Sequence, residues 1–322
     1  MLFCGVDTSN YTTSLALCND GGEVVASFKE PLPVADGACG LRQSDAVFAH
    51  TRNLPLVTAR LRTALGGDLA GEKIAAFGVS ATPRDAEGSY MPCFLTGVAA
   101  ASAMADAAGV PLYRFSHQNG HIMAALYSSG SQALIGGRHI AFHVSGGTTE
   151  VLLVAPGADA GRAFSVSVIG GTRDLNAGQA VDRAGVMLGL HFPCGPALEK
   201  LAEQSEKKYK FSHLPVKDCV CNLSGLQNQT EKQLSDGVPP CDIAAYLLDY
   251  IAAVLAQMAR DARAAYGRLP IVFAGGVMSN RRIRAHLEAL GDCRFAEPCF
   301  SADNAAGTAL LCRHTYMGER LG

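Results

Sequence analysis

The sequence predicts an α/β chain made of two related domains with a central cleft, and three observations carry this. Its 322 residues exceed the roughly 100–200 of a single domain. A pattern of three apolar runs joined by short polar turns opens the chain and recurs near its middle, each time followed by helical stretches. Between the copies the composition turns to Ser and Gly in SSGSQALIGG, Ser128 to Gly137, which marks the junction. The expected domains are residues 1–132 and 133–303, with a final helix over 304–320 packing back on the first.

LFCGVDT and TSLALCN read as strands around a polar turn, and an Asp-Gly-Gly turn leads into a third strand, EVVASFK. A helical pattern from Asp45 to Leu65 should break near Pro55. The strand KIAAFGVSA, an Ala-rich helix from Phe94 to Ala108, the short strand PLYRF and a helix capped by Ser116 follow. The second copy begins with HIAFHVS, TTEVLLVAP and AFSVSVIGG as strands, then helices over Ala177 to Leu190 and Pro196 to Gln204. Ile243, Leu247, Ile251 and Leu255 recur at four-residue spacing and predict a long helix within Asp242 to Tyr266. The strand LPIVFA, a helix after Ser279 and a last helix from about Asn304 close the chain. Two meanders, each followed by helices, read as an internal duplication.

With 48% hydrophobic and 17% charged residues, the chain can bury a sizeable core and is neither disordered nor fibrous. Its 27 Lys and Arg against 29 Asp and Glu give a net charge of −2, which excludes a surface wholly devoted to a polyanion but allows a local basic patch. The longest apolar stretch, Phe94 to Leu112, is interrupted by Asp106 and two glycines, so no membrane span is expected. The N-terminus lacks a basic segment before its short apolar run, so a cytoplasmic location is expected. Eleven cysteines without a CxxC pair predict reduced thiols, Cys219 and Cys221 being the pair to watch.

Three turns have the composition to hold phosphate: DTSNYTTS (Asp7 to Ser14), VSGGTTE (Val144 to Glu150) and FAGGVMSN (Phe273 to Asn280). Small residues let backbone N–H groups converge on an anion, and the third turn precedes a helix N-terminus. Each alone is more often an ordinary hairpin or strand-to-helix turn; two in matching places and a third at a helix start point to a shared role. His117 and His121 lie four apart on a predicted helix, so both imidazoles can reach one metal. Gln118 stands where a zinc peptidase needs a glutamate base, and an amide cannot take a proton from water, so the peptidase reading fails. Asp303, where a loop enters the last helix, would complete a set of two histidines and a carboxylate suited to iron or zinc, or serve as a helix cap. Asp182 lies on a predicted helix, a common place for a solvated or ion-paired carboxylate.

The duplicated pattern resembles the actin-like, sugar-kinase-like (ASKHA, RNase H-like) superfamily, in which nucleotide lies between two related domains. GVDTSNYTTSLAL, SHQNGHIMAA, HVSGGTTEVLL, GGTRDLNAGQAVDRAGVMLGLHFPCGP, NLSGLQNQ, FAGGVMSNRRIR and SADNAAGTALL occur in the order of the motifs of the tRNA threonylcarbamoyladenosine transferase (TsaD, or glycoprotease) family, over nearly the whole chain. The resemblance implies transfer of a threonylcarbamoyl group from threonylcarbamoyl-AMP to the adenosine 3′ of the anticodon in tRNAs reading codons that start with A. It also implies one divalent metal, Fe²⁺ or Zn²⁺, on His117, His121 and Asp303. Adenylate or an ATP-type nucleotide is expected on His143, Val144, Ser145, Gly146, Gly147, Asp182, Gly195 and Asn280, with TsaB-like and TsaE-like partner proteins. No protein nucleophile is expected, because AMP is already a good leaving group.

The sequence departs from the family's pattern at named places. The usual HxEGH is HQNGH, with Asn119 for Glu; the usual His after SGG is Thr148; and DDAAGEAFDK reads DLNAGQAVDR, with Leu175, Asn176 and Gln179. The metal set survives while the acidic surroundings thin. Two alternatives therefore stay open: a catalytically silent nucleotide-binding paralogue acting as a partner subunit, or a small-metabolite kinase with Asp7 or another carboxylate as base. Lys207, Lys208, Lys210 and Lys217, with Arg281, Arg282 and Arg284, form the local positive charge that could meet tRNA phosphates.

Overall fold

The computed structural model of the chain describes residues 1–9, 11–33, 41–157, 162–301 and 303–321, so Asn10 of the first predicted turn lies outside the described residues. Two compact units form: Met1–Gly136 with Pro156–Ser165 and Ala302–Gly322, and Gly137–Ala155 with Val166–Ser301.

In the first unit β1 (Leu2–Asp7), β2 (Thr12–Asn19) and β3 (Val24–Pro31) make an antiparallel meander. Helix α1 (Gln43–Gly66) leads to β4 (Ile74–Thr82), and α2 (Cys93–Ala108) leads to β5 (Leu112–Ser116). Both later strands run parallel to β1, giving the order β3-β2-β1-β4-β5. Helix α3 (His117–Ser128) follows directly. The whole of β1 is buried, as a central strand covered on both faces must be. Its alternation sends Leu2, Cys4 and Val6 into a core with Val57 and Leu61 of α1 and Ala101 and Ala105 of α2. Phe3, Gly5 and Asp7 therefore point to the opposite face.

Helix α1 does not break at Pro55. Proline removes one hydrogen bond, but Pro55 and Thr51, whose carbonyl loses its donor, are both exposed, so water can satisfy the carbonyl. Val57 and Leu61 stay anchored in the core.

The second unit repeats the arrangement. Strands β6 (His139–Val144), β7 (Thr149–Pro156) and β8 (Phe164–Thr172) are neighbours in that order. Helices α4 (Ala177–Met187) and α5 (Gly195–Ala202), the hairpin β9 (Val216–Lys217) and β10 (Val220–Cys221), α6 (Gly225–Ser235) and α7 (Pro240–Tyr266) follow. Strand β11 (Ile271–Ala274), α8 (Arg281–Glu288), β12 (Cys293–Phe295) and the short α9 (Pro298–Ser301) complete the unit. The order β8-β7-β6-β11-β12, with β11 parallel to β6 and β12, reproduces that of the first sheet, and the hairpin extends the β8 edge. Cys219 and Cys221, the pair to watch, are buried free thiols of this hairpin. Helix α7 is long and apolar enough to cross a membrane, but 72% of its apolar window is buried inside the protein. It is the unit's core helix, with Ile243, Leu247, Ile251 and Leu255 all buried as their spacing predicts. Helix α10 (Ala306–Leu321) then returns to the first unit, on the β1 face opposite α1 and α2.

His139, at the start of β6, is fully buried, and burial lowers its pKa to about 4. The native state therefore holds it neutral while the unfolded chain takes up a proton below about pH 6.5. Stability from this residue is complete above pH 6.5 and is lost as pH falls towards 4. At pH 4.5 the loss should be about 2–3 kcal/mol relative to pH 7.5. Urea unfolding at both pH values should show this difference shrinking in His139→Leu; an equal acid loss in parent and variant would contradict it.

Candidate metal centre and phosphate-binding turns

Helix α3 starts where the sequence places it, with the Ser116 hydroxyl accepting from the Asn119 N–H at 3.2 Å. His117 and His121 then share one face, their rings 4.2 Å apart in an edge-on arrangement. Asp303 reaches them from the loop entering α10. Its Oδ1 lies 3.6 Å from His117 Nε2 and 3.4 Å from His121 Nε2. At the start of that helix the side chain of Asn304 accepts from the Ala306 N–H at 3.0 Å, while the Asp303 carboxylate faces the histidines.

A close helix crossing makes this approach possible. A Cβ on Gly307 would lie 1.8 Å from the carbonyl oxygen of Gly120, between the two histidines, so only glycine lets α10 come this near to α3. On the strand side, a Cβ on Gly5 would meet the backbone of Ala305 and Ala309 at 2.4 Å. The run Ala305-Ala306-Gly307 supplies the small residues that both contacts need.

The electrostatics favour a cation. Burial opposes charge on His117, but the Asp7 carboxylate at 2.8 Å from Nδ1, with help from Asp303, raises its pKa and favours the imidazolium. Burial and the neighbouring His117 charge hold His121 neutral. Burial works against ionisation of Asp303, yet its two histidine partners hold it well below the usual carboxylate range. Nε2 of His117 is buried without a hydrogen-bond partner. Donors bound at about 2.0–2.2 Å to one tetrahedral or octahedral ion lie about 3.0–3.5 Å apart, close to the spacings found here. His117, His121 and Asp303, whose ligand atoms all lie within 4.8 Å of one another, thus fit one divalent metal replacing the His117 proton.

The second unit holds the other predicted residues. The Ser145 to Gly147 turn joins β6 to β7 and is closed by Ser145 N–H on the Thr148 carbonyl at 2.7 Å and Thr148 N–H on Ser145 Oγ at 3.2 Å. Val144, at the end of β6, is buried. The first turn of α4 packs on this loop: Gly178 N–H donates to the Ser145 carbonyl at 3.1 Å, and a Cβ on Gly178 would sit 2.6 Å from Gly146 N. From the other side comes Gly275, in the left-handed region at φ 101°, where a Cβ would lie 2.2 Å from the Val144 carbonyl. The predicted second and third turns are therefore in contact. A Cβ on Gly146, Gly147, Gly195 or Gly276 would meet nothing, which leaves an open, side-chain-free surface.

Asp182, one turn along α4 from Gly178, accepts from the Cys194 N–H at 2.8 Å, which ties it beside Gly195; burial raises its pKa. His143 lies on β6 opposite Glu150. Asn280 caps α8, its side-chain oxygen accepting from the Ile283 N–H at 3.0 Å. The departures from the family pattern have structural work: Leu175 is in the core, and Gln179 closes the capping box with Asn176 at the start of α4.

Arg282 makes a two-pronged pair with Asp249, at 2.6 and 2.8 Å, and the exposed Lys207 pairs with Asp242 at 2.8 Å. Arg281 pairs with Glu199 and Glu203. The site also contains a residue whose role sequence reasoning missed. Asp7 is not an open turn residue or a kinase base: it is 1% exposed and bonded to His117. Strand alternation, which turns Asp7 away from the α1 and α2 core, was the signal available.

A model of the family described as TsaD, tRNA N6-adenosine threonylcarbamoyltransferase, matches residues 40–310. A protein named tRNA N6-adenosine threonylcarbamoyltransferase from Chlorobium chlorochromatii is 28% identical over 97% of this chain and 91% of its own. One of the same name from Pyrobaculum neutrophilum is 29% identical over 98% and 89%. Among solved structures, component A of (R)-2-hydroxyglutaryl-CoA dehydratase from Acidaminococcus fermentans superposes with a TM-score of 0.54 at 16% identity, covering 96% of each chain. A putative N-acetylmannosamine kinase from Listeria monocytogenes gives 0.51 at 12% identity, over 99% of this chain and 100% of its own. At these identities the structures show the fold alone, which is the duplicated actin-like, sugar-kinase-like one.

Proposed function

This chain belongs to the tRNA N6-adenosine threonylcarbamoyltransferase family, and from that premise we propose that it is a metal-dependent transferase. It would move a threonylcarbamoyl group from threonylcarbamoyl-AMP to the adenosine 3′ of the anticodon in tRNAs that read A-starting codons. The observation that carries the metal dependence is the convergence of His117, His121 and Asp303 from two separate helix starts onto one point. His117, His121 and Asp303 would hold the ion, Fe²⁺ or Zn²⁺, which when bound supplies Lewis-acid stabilisation of charge developing on the acyl oxygen.

The chain's own residues do the rest by positioning. The open Ser145 to Gly147 turn, braced by Gly178 and Gly275, presents backbone N–H groups to the phosphate of the adenylate. His143 and Val144 set the end of β6 from which that turn springs. Asp182, held beside Gly195, would accept hydrogen bonds from ribose hydroxyls, and Asn280 would use the side-chain amide that capping leaves over. The exocyclic amine of the tRNA adenosine attacks the carbamoyl carbon, the bond to the adenylate phosphate breaks, and AMP leaves with the electron pair. The attacking nitrogen loses its proton to solvent or to the departing phosphate, so no protein nucleophile is needed. TsaB-like and TsaE-like proteins are the proposed partners, and the cytoplasm the proposed location. The pairing of Lys207, Arg281 and Arg282 within this chain fits tRNA binding that relies on those partners.

The test is reconstitution with threonylcarbamoyl-AMP, tRNA and the partner proteins, followed by mass analysis of the tRNA nucleosides. Threonylcarbamoyladenosine should appear only with the full-length chain present. Nucleotide binding without any modified adenosine, beside an active control enzyme, would replace this reading with the silent paralogue. The structural roles of Leu175 and Gln179, where the family pattern places residues that include two carboxylates, are what favours that second reading.

A further inference from the structure

Asp7 ends β1 with every direction of its carboxylate occupied. Oδ2 accepts from His117 Nδ1 at 2.8 Å and from Ser80 Oγ at 2.5 Å. Oδ1 accepts from the Ser9 N–H at 2.8 Å and from the Ser9 hydroxyl. Ser80 Oγ also lies 3.1 Å from Thr308 Oγ1. Ser9, Ser80 and Thr308 are fully buried. One buried polar chain therefore runs from His117 on α3, through Asp7 of β1 and Ser80 of β4, to Thr308 on α10, the helix that Asp303 precedes.

A carboxylate so saturated and so far from solvent has no lone pair left to bind substrate or take a proton. Its remaining use is to hold the imidazole. We propose that Asp7 is a positioning residue of the metal centre. By receiving the Nδ1 hydrogen bond it fixes the His117 ring and its tautomer, leaves Nε2 as the metal donor facing Asp303, and makes that nitrogen more basic. Ser80 shares the load: it orients Asp7 and, through Thr308, couples the α3 ligands to the helix that delivers the third. The proposal rests on the metal reading given above, and the experiment separates the two.

Cobalt(II) serves as the probe for the full-length chain, its affinity read by competition with a chelator and its coordination by visible absorption. Asp7→Asn keeps the size of the side chain but not the anionic acceptor, and should weaken cobalt binding about 10–100-fold with a changed absorption band. Ser80→Ala, which removes one donor from Asp7, should weaken it about 3–10-fold. A purely structural role for Asp7 would lower the melting temperature of the metal-free protein and leave the affinity of the folded fraction alone. Cobalt affinity within about threefold of the parent in Asp7→Asn, with an unchanged spectrum, overturns the proposal. Should Asp7→Asn not fold, Ser80→Ala decides on the same criterion. A parent that binds no cobalt overturns both this proposal and the metal reading.

Discussion

Replacing His117 and His121 together by alanine is expected to remove the divalent metal from the purified protein and to abolish transfer to tRNA while leaving the fold in place. Two imidazole donors of the three-residue set disappear, and Asp303 alone cannot hold an ion against water. Both rings lie at the start of α3, with Phe94 edge-on to His117 at 6.1 Å, so their loss takes no strand out of either sheet, although it removes the partner of buried Asp7 and should lower the melting temperature. Loss of charge stabilisation worth about 4 kcal/mol corresponds to a fall of roughly 10³ in rate. Elemental analysis of parent and double variant, with circular dichroism to verify folding, checks the first half, and nucleoside analysis the second. Equal metal content in the two proteins would remove the basis of the site.

The second large effect is expected from Gly307→Ala, a single added carbon. That carbon would lie 1.8 Å from the Gly120 carbonyl oxygen, a backbone atom that cannot turn aside, so α10 must move off α3. Overpacking against backbone of this kind costs about 3 kcal/mol or more, which lowers the melting temperature by about 5–10 °C in a unit of this size. Because the same movement carries Asp303 away from the histidines, metal affinity should fall with stability. A melt and a metal titration on one preparation test both. Reduced stability with undiminished affinity would mean that the crossing supports the fold without setting the site.

Much of this was legible in the sequence for local reasons. The four-residue spacing of His117 and His121 and the capping Ser116 depend only on helix geometry, and the i+4 apolar row of α7 only on burial of that helix. The two meanders were readable because each strand is a clean apolar run between turn residues. What escaped depended on partners distant in the chain. That Asp7 faces α3, while Cys4 and Val6 face α1, follows from alternation only once the layer on each side of β1 is known. That Asn304 bonds the Ala306 N–H while Asp303 faces the histidines is a choice between adjacent residues that both suit either role. The pairing of Lys207 with Asp242 and of Arg282 with Asp249 was not readable because both partners lie on α7, distant in the chain. Helix α6 was missed since it buries only Leu226 and Thr230, too few for a period to show, and the strands of the β9 and β10 hairpin are two residues each.

The central claim is that His117, His121 and Asp303 hold a metal that the transfer reaction requires. The most direct measurement strips the protein of metal with a chelator, removes the chelator, and assays threonylcarbamoyladenosine formation as Fe²⁺ or Zn²⁺ is added back. The account predicts that modification stops on stripping and returns with one equivalent of metal in the parent, and not in the His117→Ala, His121→Ala variant. Undiminished transfer by protein from which the metal has been removed would contradict it.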